Sequence, residues 1–511
     1  MGLGDFTAIM NKIVEKVCSN LRYWGDTDCV IEVSLRLFLE LSRGYQGCRM
    51  LLGLESVEFL LQNHTEETFK FLGSPRLLSM RNQYYASLTR LVLMDNVPGR
   101  LEMFLAPFLS MLQLLQQQQD FAQGNVTVFR GEPIQLVKLF KDLRGVSDSC
   151  TDSRSYGILF ETFQNQGKFW SRSELLFAVM QKTVSAFHGN DEVCNAMLRC
   201  LVSFVSNDDS RVDSGSTSTN GITLFKKTAV ILCEYIQLLM ASYQDFSLAP
   251  DGVFTCARLV LQALNKMLRE GKRRSMLAGK YVPFGVFVLY NDNCLQQTLE
   301  ACMTIVLRMP FFQMEKRQKL EKAAFTFIDI LFTNHIETLS RMAPEGFINL
   351  MRFVVIGLDA YDEETMGKCA DCIDQLATYY YLNRTRETPT MLRLNQIVSE
   401  NASLWNDLFE KIMNSLLFNK TSSDILSRPI HSILLVDINV AENYYRVIAS
   451  RQPNDVIMKL KNSMITLTQN MDKTLEPILR DQFCEKCKDF KNEVLSYLVL
   501  WRVCANKQIN K

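Results

Sequence analysis

An apolar stripe returns at helical spacing from one end of this sequence to the other, and it limits the folds open to the chain. Ile31, Leu35 and Phe38 follow one another at i, i+4 and i+7. Val193, Met197, Cys200 and Phe204 repeat the pattern, as do Leu295, Leu299, Cys302 and Val306, and again Phe325, Ile328 and Phe332. Residues three and four apart share one face of an α-helix, so each set marks a helix with a buried side. Helix breakers are scarce, with 23 Gly and 12 Pro in 511 residues. No convincing strand alternation appears. The best short candidate, Val286-Phe287-Val288-Leu289, serves equally well to open a loop. The pattern predicts about twenty helices of roughly 12 to 22 residues with short connections.

Stop signals divide these helices into pairs. Trp24-Gly25-Asp26-Thr27-Asp28 reads as a terminating Gly followed by a new cap, and Gly189-Asn190-Asp191 reads the same way. Gly73-Ser74-Pro75, Asn96-Val97-Pro98-Gly99, Met309-Pro310 and Ala343-Pro344 are further stops. They recur at about 20 residues, or about 40 for two helices, the rhythm of HEAT and armadillo arrays. The expected fold is all-α: an α-solenoid, a superhelix of antiparallel helix pairs over residues 1–511. A closed bundle is the alternative, but the length exceeds what one core usually supports. Two segments interrupt the rhythm. Residues 206–221 are Ser- and Gly-rich and read as a polar loop; residues 269–293 read as an irregular connection, basic and then aromatic.

Composition narrows the function classes. Lys plus Arg is 56 and Asp plus Glu is 55, a net charge of +1 that argues against nucleic acid as a partner. The 15 cysteines are scattered among apolar residues, with Cys200, Cys233 and Cys302 typical. That usage fits free thiols in a reducing compartment better than a disulfide framework. The opening MGLGDFTAIMNKIVEK lacks a secretory pattern, Phe6 breaks the myristoylation pattern, and no membrane span is expected. Asn63-His64-Thr65 then reads as an accidental glycosylation triplet.

Catalytic signatures are missing. No GxxxxGK[ST], GxGxxG or HExxH occurs, and the four His (His64, His188, His335 and His431) lie far apart. The pairs Cys369/Cys372 and Cys484/Cys487 have zinc-knuckle spacing. Their separation and helical context favour packed helical cysteines instead. Asp359, Asp362, Glu363 and Glu364 sit at a predicted helix start, where carboxylates complement the dipole. Gln116–Gln119 reads as a solvated helix face. Lys266, Arg269, Lys272, Arg273, Arg274 and Lys280 form a basic cluster that reads first as a solvated loop and second as a docking patch for an acidic surface. No residue is assigned as catalytic, cofactor-binding or metal-binding, and no enzymatic activity is expected.

Ordered fingerprints carry a resemblance. They are Asn20 to Tyr45 (NLRYWGDTDCVIEVSLRLFLELSRGY), Phe59 to Thr65, Phe69 to Gly73, Tyr84 to Asp95 (YYASLTRLVLMD) and FLAPFLSML. DLRGV (Asp142 to Val146), NGITLFKK (Asn220 to Lys227), YVPFGVFVLYNDN (Tyr281 to Asn293), SRPIHSILLVD (Ser427 to Asp437) and FKNEVLSYL (Phe490 to Leu498) follow in order. In this order the chain resembles the C-terminal half of the exportin-7 and Ran-binding protein 17 family, within the importin-β (karyopherin-β) superfamily. Pro283 and Asn291 depart from that family, which has Asn and Gly there.

The resemblance implies a nuclear transport receptor segment. Protein cargo would be exported through the nuclear pore in a manner dependent on the GTP form of the small GTPase Ran. Cargo would be a folded protein held on the solenoid surface, often through a basic patch of its own. Phe-Gly nucleoporins would be further partners, nucleic acid and membrane would not, and the chain would be a monomer shuttling between nucleus and cytoplasm. Nothing here matches the family's N-terminal, Ran-docking half, so Ran binding is expected to be weakened. The alternatives are an import or bidirectional karyopherin, or a HEAT-type scaffold unrelated to transport.

Overall fold

A computed structural model describes residues 3–95, 97, 99–117, 133–164, 172–207, 211–212, 220–268, 282, 284–308, 318–360, 362–418, 423–450, 452–469, 471 and 473–498. Among these residues there are twenty-four α-helices, three short 3-10 turns and no strand. The helices fall into two compact units, Met1–Arg308 and Met309–Lys511, where the sequence pattern drew one continuous array.

In the first unit, successive helices feed two interleaved series. One series runs Asp28–Leu41, Leu78–Met94, Pro133–Ser149, Asp191–Val205 and Asp251–Leu268, each packed on the next. The other runs Arg100–Gln117, Arg172–Phe187, Asn220–Ser242 and Cys294–Arg308. Helices of the first series point the same way. Arg81 meets Asp142 and Ala86 meets Gly145, so both helices ascend together. Gly145 permits that approach, because a Cβ there would lie 2.5 Å from the Asn82 carbonyl oxygen. The second unit repeats the scheme, with Gln318–Asn334, Glu363–Asn383, Ser423–Val436 and Pro477–Tyr497 forming one series. Stacked helix pairs of this kind are the arrangement of an α-solenoid.

The sequence stripes become the core. Ile31, Leu35, Phe38, Val193, Met197, Cys200, Phe204, Phe325, Ile328 and Phe332 are all buried, while Leu295 is half-buried. The stop signals hold where they are described. Asn190 caps Asp191–Val205 by accepting the Val193 N–H at 3.2 Å, and Pro344 opens Pro344–Gly357. Two readings change. Val286 to Leu289 is neither strand nor loop but the short helix Gly285–Leu289. The polar loop ends early, because Asn220–Ser242 already begins inside it. Two prolines, Pro107 and Pro429, lie inside helices rather than between them. Met309-Pro310, most of 206–219, most of 269–283, part of the Gln run, and Arg269 to Lys280 of the basic cluster lie outside the described residues.

One described piece of the polar loop is anchored. Arg211 is buried, and its guanidinium donates to the carbonyls of Ser206 (2.6 Å), Ser147 (2.9 Å), Cys150 (2.8 Å) and Ser203. Several of these carbonyls close the helices Pro133–Ser149 and Asp191–Val205, where a cation complements the negative helix end.

Candidate functional site

The fingerprints turn out to be places where helices meet. Asp142 of DLRGV lies on a face made by Leu139, Phe140, Leu143 and Val146. It accepts a forked pair of bonds from Arg81, Nε to Oδ1 at 2.7 Å and Nη2 to Oδ2 at 2.6 Å. Arg81 also donates to the Leu72 carbonyl and pairs with Glu66, which Lys138 reaches at 2.9 Å. Burial pushes the Asp142 carboxyl up to about 6 against the pull of Arg81, and Arg81 itself is held firmly protonated by Asp142 despite burial. The pair is therefore ionised at neutral pH. A cavity of about 220 Å³ opens beside it, lined among others by His64, Glu66, Tyr85 and Lys138.

The YYASLTRLVLMD and FLAPFLSML stretches supply the aromatic wall of that cluster. The Tyr85 hydroxyl donates to the His64 carbonyl at 3.1 Å. His64 lies 4.7 Å from the Phe104 ring and edge-on to Tyr85, and burial lowers its pKa. This histidine is packed as an aromatic, with no nucleophile or metal constellation around it.

NGITLFKK and YVPFGVFVLYNDN also meet. Phe225 packs edge-on against Phe284 and Phe287, and Lys226 pairs with Asp292 at 2.6 Å. Asp292 in turn accepts the Cys294 N–H at 2.9 Å, opening the next helix. Between them Val288, Leu289 and Tyr290 stand three-quarters exposed or more. Asn291 has φ of +51°, and Asn is among the few residues that accept this left-handed backbone.

In the second unit SRPIHSILLVD packs on the helix Pro477–Tyr497 that carries FKNEVLSYL, through residues that precede that stretch. Asp374 accepts Arg480 at 2.6 and 3.0 Å and Ser432 Oγ at 2.7 Å, tying three helices together. His431 stacks on Phe483 at 4.6 Å, and Tyr497 shares a hydrogen bond with Ser463 at 2.7 Å.

The remaining candidates resolve individually. Asp362 caps Glu363–Asn383 by accepting the Thr365 N–H, and it pairs with Lys322 at 3.4 Å. Glu364 pairs with Lys368 at 2.7 Å and Asp359 with Lys411, so three of the four acids already have cations. Cys369, Cys372 and Cys487 are buried on helix faces, and burial raises their thiols. Cys484 accepts the Ser427 hydroxyl. Among the described residues no group of three His, Cys, Asp or Glu is placed to hold a metal, and no helix is long and apolar enough to cross a membrane. Sequence pattern did not single out Arg81, Arg211 or Arg480. For Asp142 the signal was there, a lone acid inside the apolar run LFKDLRGV.

Comparisons with known proteins fit this arrangement. A family model described as the exportin-7-like TPR domain matches residues 1–80. Exportin-7-B of Xenopus laevis is 24% identical over 515 residues, covering 97% of this chain and 45% of its own length. The chain is similar to exportin-7 and Ran-binding protein 17 over nearly its whole length. Ran-binding protein 17 of Mus musculus is 24% identical over 520 residues, covering 98% of this chain and 46% of its own. Exportin-7 of Dictyostelium discoideum is 24% identical over 511 residues. The chain thus spans about half the length of the curated relatives it matches. Repeats named TPR and those named HEAT are both stacked helix pairs, which is what both units contain.

Proposed function

We propose that this chain is a segment of a nuclear transport receptor that carries folded protein cargo out of the nucleus in a manner dependent on Ran in its GTP state. The observation that carries the reading is the collinear similarity to exportin-7 and Ran-binding protein 17 across 97–98% of the chain. The fingerprints at helix contacts support it, since the same junctions would build the same array. An array of helix pairs presents long surfaces and flexes between repeats without breaking a single core. That suits a receptor whose curvature couples two binding events. Coupling is reciprocal: if Ran tightens cargo, cargo tightens Ran by the same factor. GTP hydrolysis belongs to Ran, and this chain serves by binding alone. Phe-Gly nucleoporins are the expected contacts during passage, and the protein shuttles as a monomer between nucleus and cytoplasm.

The test is a binding assay with immobilised chain against Ran loaded with a non-hydrolysable GTP analogue or with GDP. Preference for the GTP form, and tighter capture of folded cargo in its presence, are expected. Cargo release by the GTP form would point to import instead. Indifference to nucleotide together with no capture of Phe-Gly repeats would overturn the transport reading in favour of a scaffold.

A further inference from the structure

One series of helices in the first unit exposes very little of itself. Between Leu136 and Ser149 only Lys141, Arg144 and Asp148 are not buried. On Asp191–Val205 the residues that reach solvent are Asp191, Glu192, Asn195, Arg199 and Val202. On Asp251–Leu268 they are Asp251, Gly252, Thr255, Arg258, Gln262 and Lys266. Each set is a single stripe at three- and four-residue spacing, because neighbours of the same series and the other layer cover the remaining sides.

The helices run in the same direction, so equivalent positions line up across them. Asp191 touches Gly252 at the helix starts, and Arg81 touches Asp142. Half-buried arginines then fall into a row, Arg144, Arg199 and Arg258, and Arg90 of the preceding helix joins it through Asp148, which acts on both Arg90 and Arg144. Their partners are mostly uncharged. Arg199 donates to Asn195 Oδ1 at 2.6 Å and Arg258 to Gln262 Oε1 at 2.7 Å. Arg90 Nη1 is buried without a hydrogen-bond partner among the described residues. Among the described residues Arg144 pairs with a carboxylate, Asp148 at 3.3 Å, which is shared with Ser203 and Asn82, while Arg90 feels Glu40 and Asp148 without bonding to either. Burial, with Arg258 and Arg144 beside it, disfavours the charged form of Arg199, and burial acts on Arg258 and Arg90 in the same sense. Like charges held together at half-burial weaken the fold unless something answers them.

We propose that this row of arginines is the docking surface for an acidic polypeptide segment bound in extended form across the four helices. Packed helices lie about 8–10 Å apart, and an extended chain in the polyproline II form advances about 3.1 Å per residue with three residues per turn, which returns every third side chain to the same face. A carboxylate at every third position therefore meets one arginine per helix. A small anion is too short to span the row. Nucleic acid is the poorer fit, because Asp191, Glu192 and Asp251 stand at one end of the face and the whole chain carries only +1. The surface does not depend on a transport role, and a scaffold would use it equally well.

The test uses the full 511-residue chain and a labelled ten-residue peptide with Glu at every third position separated by Gly and Ser. Fluorescence anisotropy at low salt should detect binding that fades as salt rises. The double variant Arg199→Glu/Arg258→Glu should weaken it by about tenfold or more, taking each partly screened pair near 0.7 kcal/mol. If circular dichroism shows that variant misfolded, Arg199→Gln/Arg258→Gln carries the test with a smaller loss. Reversing the exposed Arg352 and Arg446 should leave binding unchanged. The proposal is overturned if the peptide does not bind, if the distant reversals weaken it equally, or if a single-stranded oligonucleotide of equal charge binds more tightly.

Discussion

Arg81 with Asp142, in the first unit, and Arg480 with Asp374, in the second, are both buried forked pairs, yet their aspartates differ in the further donors they have. In the first, the cation is shared: Arg81 also serves the Leu72 carbonyl and Glu66, while among the described residues Asp142 accepts from Arg81 alone. In the second, both partners are shared: Asp374 also accepts Ser432, and Arg480 also donates to Thr378 Oγ1 at 3.2 Å while its buried Nε has no partner among the described residues. The exposure of the side chains is similar, 6% and 4% against 15% and 5%, so burial alone does not separate them. What separates them is whether the aspartate keeps a donor when the arginine is lost.

The largest expected effect follows from that asymmetry. Arg81→Leu strands Asp142 as a lone buried carboxylate and should cost about 3–5 kcal/mol. Arg480→Leu leaves Asp374 its serine bond and should cost about 1–3 kcal/mol. Peptide-resolved hydrogen exchange in Leu78–Met94 and in Pro477–Tyr497 would read the two losses separately. Removing both charges in Arg81→Leu/Asp142→Leu should recover most of the first loss. The comparison breaks if Arg480→Leu proves the more damaging, or if the double variant is no better than the single.

A second pair of sites sharpens it. Gly145 and Gly357 both admit a close neighbour, but the neighbours differ in kind. A Cβ at Gly145 meets backbone, the Asn82 carbonyl and the Ala86 nitrogen, which cannot yield without moving a helix. A Cβ at Gly357 meets the Cys369 thiol and the Phe325 ring, and that ring is itself stacked on Phe353 at 4.4 Å. Gly145→Ala should therefore cost about 2–3 kcal/mol and Gly357→Ala about 1–2 kcal/mol in urea unfolding. Equal losses would mean that the second core is as rigid as a helix backbone.

These two glycines mark how far the sequence was readable. The helices and their stops were legible because apolar spacing and Gly, Pro or Asn punctuation act locally. Phe38 or Met197 needs only its own helix to be recognised as core. Gly145 and Asp142 take their meaning from residues about sixty positions away, and no local pattern specifies that register. The acidic cluster at Asp359 to Glu364 misled in another way. Its helix-start logic was right for Asp362, Glu363 and Glu364, but the lysines at 322, 368 and 411 that pair with three of the four acids come largely from other helices. The family fingerprints were visible as ordered words; that they are joints was visible only once the helices were packed.

The smallest expected effect is in pH. Burial lowers the pKa of His64 in the folded protein, so the unfolded chain takes up a proton first as pH falls. Stability from this group is complete above about 6.5, the ordinary value for histidine, and declines as pH drops below it. Asp142, raised to about 6, acts in the opposite sense, so thermal melts between pH 7.5 and 5 should be read as a difference: His64→Phe should lose less stability with falling pH than the parent chain. An unchanged slope would assign the acid sensitivity elsewhere.

Arg211 has a consequence for how the chain tolerates change in length. Its guanidinium fastens the loop to two helix ends within six residues of the helix it leaves. The segment between residue 212 and Asn220 is thereby a separate closure, shorter than the loop the sequence displays. Extra residues inserted there enlarge only that closure, and doubling its length costs about 0.6 kcal/mol. A single residue inserted before Arg211 shifts the guanidinium off its carbonyls. Insertions are therefore tolerated on one side of Arg211 and costly on the other, with a single side chain dividing them.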